Sequence, residues 1–273
     1  MEYIIDNEKA YLEEILKSLR AYNDSQTGKL KKEEKHIYIL RNKKLVGATS
    51  IHLGWDWVGF GKLFFDNKEV LETIVSTICD LYREEAVGIH MYTNNEERLS
   101  LFEEIGFVVE GSDKSYEEDQ LFYSTAFTDW EFSYSSDYEV IIKEEKILEF
   151  DKILDEHELE FKRHNNIKDK NDELIIVALD KGKFAGGVHG VIYEHHMYIN
   201  LLVVETEYRG CQVGSILMKD MEKHARSLNL KSINLGTAKF QAKEFYQKLG
   251  YEVTITQKNY PKGFECYSLN KKL

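Results

Sequence analysis

The chain has 273 residues, 42% of them hydrophobic, and carries 48 acidic against 36 basic side chains for a net charge of −12. This length suits one large domain or two ordinary ones, and the charge argues against nucleic acid and anionic membrane surfaces as partners while favouring a cationic small molecule. Cys79, Cys211 and Cys266 are odd in number, widely spread and without metal spacing, so neither a disulfide framework nor a metal site is expected, and a reducing cytoplasm is.

The N-terminus, Met1 to Arg20, is charged throughout and has no signal-peptide core. No apolar run is long enough to span a bilayer. Tyr11, Leu12, Ile15, Leu16 and Leu19 recur at helical spacing, and a polar loop, Asn23 to Lys35, follows. His36 to Leu40 and Leu45 to Leu53 read as strands around Arg41-Asn42-Lys43-Lys44, and Val58 to Phe65 as a third. Asp66, with Glu69 three residues on, predicts the N-cap of a helix whose stripe is Val70, Leu71, Ile74, Val75, Ile78, Leu81 and Tyr82. Val87 to Tyr92 is a strand, Arg98 to Ile105 a short helix stopped by Gly106, and Phe107 to Val109 a strand.

The second half repeats this order. Leu148 to Phe161 is helical in pattern, and Asn165 to Asp172 is a polar loop. Leu174 to Leu179, Phe184 to Tyr193 and Met197 to Val204 are strands. Val213, Ile216, Leu217, Met221, Ala225 and Leu228 form the next helical stripe. Strand Ser232 to Leu235, a short helix ending near Leu249 and strand Tyr251 to Ile255 complete the match. Lys44-Leu45-Val46-Gly47 aligns with Lys183-Phe184-Ala185-Gly186, and Leu101-Phe102 through Gly106-Phe107 with Phe245-Tyr246 through Gly250-Tyr251. The polar stretch Ser133 to Asp137 marks a boundary near Asp129 to Asp137, which divides the chain into residues 1–128 and 137–273.

The halves differ most at one junction. The second has Leu202-Val203-Val204-Glu205 and then a polar turn containing Arg209, Gly210, Cys211, Gln212, Val213, Gly214 and Ser215. The first has only Asp66-Asn67-Lys68-Glu69, with neither arginine nor glycine. A helix start with glycines suits an anion, because its first N–H groups have no helical partner and the helix dipole is positive there. Asp66 and Glu69 would repel one. The spacing is neither that of the P-loop nor that of the dinucleotide fingerprint.

Together, Leu202, Val204, Arg209 and Gly214, followed by Ala242, Phe245, Tyr246, Leu249, Gly250 and Tyr251, resemble the GNAT superfamily of acetyl-CoA-dependent N-acetyltransferases. The resemblance covers roughly Tyr138 to Leu273, and Gln212 stands where the family has its first loop glycine. It implies an α/β (α+β) fold of two tandem GNAT-like domains, each a mixed, mostly antiparallel twisted sheet flanked by helices, with the first copy degenerate. The two halves could pack as a pseudo-dimer. It also implies that Leu202, Val203 and Val204 meet the pantetheine arm of coenzyme A, and that Arg209 to Ser215 hold its phosphates. Tyr246 is then the general acid for the leaving thiolate, and the acceptor is a primary amine of a small molecule. Phe102 stands in the place of Tyr246 in the first half.

For a general base the sequence offers Glu205 at the strand end, and Glu194, His195 and His196 in the preceding hairpin. Acceptor contacts are expected from Asn165 to Asp172, from Lys258 to Cys266 and from the first half. Two other functional classes stay open: a non-catalytic acyl-CoA sensor, and an aminoacyl transferase of tandem GNAT-like type, which its tRNA substrate sets against the acidic charge.

Overall fold

The computed structural model describes residues 1–28, 32–93, 96–113, 120–126, 137–164 and 172–273. The chain opens with β1 (Glu2–Ile5) and α1 (Leu12–Thr27), followed by β2 (Lys32–Arg41), β3 (Lys44–Gly54) and β4 (Trp57–Phe65). Next come α2 (Lys68–Tyr82), β5 (Gly88–Thr93), α3 (Glu96–Glu104), β6 (Val108–Asp113) and β7 (Gln120–Ala126). The second half supplies β8 (Glu139–Lys143), α4 (Leu148–His164), β9 (Asp172–Asp180), β10 (Lys183–Tyr193) and β11 (His196–Val204). It ends with α5 (Val213–Ser227), β12 (Ser232–Ala238), α6 (Lys243–Lys248), β13 (Glu252–Lys258) and β14 (Glu265–Lys272). Among the described residues no helix is long and apolar enough to cross a membrane.

Two seven-stranded sheets result. One has the order β8-β2-β3-β4-β5-β7-β6 and the other β1-β9-β10-β11-β12-β14-β13, so the two orders are the same, strand for strand. Each contains one parallel pair, β4 with β5 and β11 with β12, among antiparallel neighbours. The repeat extends to side chains. Phe102 meets Phe107 at 5.7 Å and 77°, and Tyr246 meets Tyr251 at 5.9 Å and 72°. The Phe107 N–H donates to Phe102 O, and the Tyr251 N–H to Tyr246 O, in the same register.

The sheets do not follow the division of the chain at 128 and 137. β1 pairs with β9 in the second sheet, and β8 pairs with β2 in the first. Each half thus lends its opening strand and helix to the other. α1 lies on the second sheet, where Ile15, fully buried, packs with Ile175, Val177, Leu179, Phe184 and Val203. A Cβ on Gly187 would stand 2.5 Å from the Ile15 side chain, so glycine makes room for the helix. α4 lies on the first sheet, where Leu154 packs with Tyr38, Leu40, Leu45 and Ala48. The segment from 129 to 136 lies outside the described residues, as does 165–171 of the expected acceptor loop Asn165 to Asp172.

The helix starts are built differently. α2 is capped by Asn67, whose side chain accepts from the Val70 N–H at 3.1 Å. The expected cap, Asp66, is one position early, and its own N–H donates to Val46 O. Glu69 accepts from the Tyr138 hydroxyl at 2.9 Å. α5 begins after Gln212 with no side-chain cap. α1 also runs further than its apolar stripe, to Thr27, through residues read from sequence as loop. Its last turns are held from outside: the Tyr22 hydroxyl donates to Phe240 O at 2.7 Å, and the Gln241 side chain donates to Asn23 at 2.8 Å.

The halves meet where β6 lies beside β13. A Cβ on Gly111 would come within 2.9 Å of Ile255. The loop after β13 is tied to the β3–β4 turn: the Trp57 indole N–H donates to Asn259 O at 2.8 Å, and the Lys262 N–H to the Asp56 carboxylate at 2.7 Å.

Candidate active site

β11 organises the site. It pairs in parallel with β12 only from His196 to Ile199, opposite Ser232 to Leu235. Its register with β10 then slips between His189 and Gly190, which leaves Asn200 as an extra residue. Such a bulge bends a strand and ends its pairing. Past it, Asn200 to Val204 and Gly236 to Ala238 diverge, and a cleft of about 800 Å³ opens between them. Leu202, Val203 and Val204 line it.

The turn after β11 lines the same cleft. Gly210 has φ +79°, with open space where a Cβ would stand. Gln212 has φ 64°, a left-handed conformation that a non-glycine residue adopts at a cost of about 1–2 kcal/mol. The loop therefore turns at Gln212 as it would at a glycine. The first helical bond runs from the Ile216 N–H to Gln212 O at 3.0 Å. The N–H groups of Val213, Gly214 and Ser215 stand ahead of that ladder, at the positive end of the helix, and these residues line the cleft. A Cβ on Gly214 would meet Phe245 at 3.3 Å and Val204 at 3.4 Å. Cys211 is exposed, and its N–H donates to Tyr208 O. The Arg209 Nε–H donates to Val204 O at 3.1 Å, and its guanidinium stands 5.1 Å over the Tyr22 ring. That arginine ties the loop to the strand end and to α1.

Tyr246 on α6 lines the cleft and is 7% exposed. Burial, and then the neighbouring Tyr198, push its phenol above the usual tyrosine range, so the hydroxyl is protonated at neutral pH. Phe245 packs edge-on against it at 5.1 Å.

The candidate bases flank β11 at its two ends. The Glu205 carboxylate accepts from the Ser18 hydroxyl on α1 at 2.6 Å, and Glu205 is not among the residues lining the cleft. Glu194 has φ 45° in the β10–β11 turn. His196 is buried and stacks on Tyr193 at 5.6 Å. Burial, reinforced by His195, lowers its pKa to about 4.

Sequence reading missed the contribution of specific first-half residues. Trp55 and His90 line the cleft beside Tyr260, as do Leu19, Tyr22 and Asn23 of α1. Burial, and then His52, lower the His90 pKa to about 4. His90 and His196 thus have folded pKa values below the usual 6.5. Their neutral forms support the fold fully above about pH 6.5, and that support is lost as the pH falls towards 4, because the unfolded chain takes up the protons first. Melting temperature should therefore drop between pH 7 and pH 4.5, and replacing His196 with phenylalanine should flatten the drop. An unchanged pH profile in that variant would contradict the assignment.

A family model for the acetyltransferase (GNAT) family matches residues 127–251. The blasticidin-S acetyltransferase of Streptomyces morookaense is 33% identical over 95 residues, which is 34% of this chain and 70% of that protein. The chain belongs to the GNAT acetyltransferase family. It is therefore an acetyltransferase whose cofactor is acetyl-CoA. Among solved structures, an acetyltransferase from Bacillus cereus ATCC 14579 is 28% identical with a TM-score of 0.43, over 47% of this chain and 94% of its own. The aminoglycoside 6'-N-acetyltransferase from Enterococcus faecium is 22% identical with a TM-score of 0.34, over 37% of this chain and 72% of its own. The GNAT match begins before β8, so it includes a strand and a helix, β8 and α4, that fold into the other sheet.

Proposed function

We propose that this GNAT enzyme transfers the acetyl group of acetyl-CoA to a primary amine of a small molecule by direct attack, with Tyr246 as the general acid. One observation carries this reading: a single cleft is lined by the diverging strand end, by the uncapped start of α5 and by Tyr246. The backbone edge from Leu202 to Val204 suits an amide-bearing arm, and the N–H groups of Val213, Gly214 and Ser215 at the start of α5 suit a pyrophosphate. Acetyl-CoA supplies an acetyl group activated as a thioester. The amine nitrogen forms the amide bond and the C–S bond breaks; the nitrogen releases its proton to water, the sulfur takes one from Tyr246, and water returns a proton to the phenolate. Tyr246 offers the second proton, since the burial that raises the phenol also raises the proton affinity of a thiolate formed beside it. Glu205, held by Ser18, is not assigned as the base. With three free thiols in the chain, we place the enzyme in the cytoplasm.

The first half is read as a degenerate copy. Its helix start is occupied by the Asn67 cap, and Phe102 replaces the phenol. Calorimetry should give one acetyl-CoA per chain, and two equivalent sites would overturn the reading. Gly214→Val should place methyl groups between Val204 and Phe245 and weaken acetyl-CoA binding by about tenfold or more. An unchanged Kd would remove the α5 start from the cofactor site.

A further inference from the structure

We infer that the acceptor is a monoamine carried on a flat aromatic or heteroaromatic ring, and that the first half of the chain builds part of the wall that selects it. This rests on the acetyl-transfer reading above.

The wall is assembled from distant parts of the sequence. Trp55 comes from the β3–β4 turn and His90 from β5, Tyr198 and Tyr267 come from β11 and β14, and Tyr260 comes from the loop after β13, all lining one cleft. Tyr260 packs edge-on against Trp55 at 5.3 Å and 85°, and against His90 at 5.2 Å and 69°. Edge-to-face contacts of this kind fix ring planes. Tyr260 is also held by its loop. Its N–H donates to Phe264 O at 3.0 Å, and the loop is tied to the first half through Trp57 and Asp56. A wall already in place costs little ordering when a ligand arrives.

Charge decides between acceptor classes. Despite the net charge of −12, no aspartate or glutamate is among the described residues lining the cleft, and no lysine is. Arg209 is the lining residue that is always charged. A polyamine or an aminoglycoside brings several ammonium groups, of which the reaction discharges one. Among the described lining residues the others would find no carboxylate: Glu110 and Glu265 stand next to wall residues but outside that lining, Glu110 accepting from Ser124 and Glu265 from Tyr267, so burying the extra charges is unfavourable. A monoamine has no such remainder. Its one ammonium is held over ring faces before it loses its proton, and its ring stacks within the wall. The acidic surface attracts cations only at long range.

The test uses the full chain with acetyl-CoA, following thiol release from tryptamine, spermidine and kanamycin in parallel. kcat/KM for tryptamine should exceed that for either polycation by about tenfold or more. Tyr260→Ala should raise KM for tryptamine by about tenfold with acetyl-CoA affinity unchanged, while Tyr260→Phe, which keeps the ring, should stay near the parent. A melting curve checks that each variant folds, and Trp55→Ala provides the same comparison if Tyr260→Ala does not. Polycations that match or exceed tryptamine would overturn the proposal and leave acetyl transfer standing. A Tyr260→Ala effect on acetyl-CoA affinity instead of on amine KM would also overturn it. So would thiol release with none of the three, in which case calorimetry with acetyl-CoA shows whether the cofactor reading has failed too.

Discussion

Tyr246→Phe should lower kcat and kcat/KM together by about 10²-fold or more, because a positioned acid contributes that much and is needed only in the transition state. The substitution removes one oxygen and keeps a ring packed edge-on against Phe245 and Tyr251. Phe102 shows that the surroundings accept the change, since it makes the same contact with Phe107 in the first half and is buried there. Melting temperature and acetyl-CoA affinity should therefore stay close to those of the parent. The phenol is pushed above its usual range by burial, so Tyr246 should impose no alkaline decline on kcat below about pH 10. If single-turnover rates of the variant equalled those of the parent, Tyr246 would be a core aromatic and the sulfur would take its proton from water.

The second large effect concerns residues 1–28. The fragment 137–273 contains the loop, α5 and Tyr246, yet it should show no acetyl transfer above background. It lacks β1, which pairs with β9, and Ile15, whose full burial contributes on the order of 1.5–3 kcal/mol. It also lacks three cleft residues of α1, Leu19, Asn23 and Tyr22, whose ring faces Arg209. Solubility alone is a poor readout, because β8 and α4 of the fragment are the repeat counterparts of β1 and α1 and are free to dock in their place. Residues 1–28 joined directly to 165–273 should bind acetyl-CoA, whereas 137–273 should not. Full activity from 137–273 would sink the claim that the site depends on the exchanged segment.

What could be read from sequence was local. The glycines and Arg209 stand within one turn of a helix start, and Ala242 to Tyr251 form one short helix and its exit, so spacing alone carries their meaning. The apolar stripes of α2 and α5 are periodic and were legible for the same reason. What escaped was set by partners far along the chain. The Glu205 carboxylate accepts from Ser18, from an element that nothing near Glu205 announces. Trp55 and His90 lie on two different segments, and they meet Tyr260, which lies in a stretch expected to contact the acceptor, only where the halves pack. β1 and β8 are short and equally apolar, and periodicity cannot say which copy joins which sheet. The α2 cap moved from Asp66 to Asn67 because helix starts shift by a residue with little sequence signature.

The exchange of opening segments also bears on how the protein is made. Domains usually fold as they emerge, N-terminal first, at about 5–20 residues per second. Here the first strand and helix emerge long before their partners, since Ile15 packs against Ile175 and Val177. At that rate the delay is on the order of ten seconds. During it, the place later filled by β8 and α4 on the first sheet stands open beside β1 and α1. A nascent chain can close on itself there and must reopen to reach the active arrangement. Refolding of the complete chain should for that reason be slower than its two sheets, taken singly, would require.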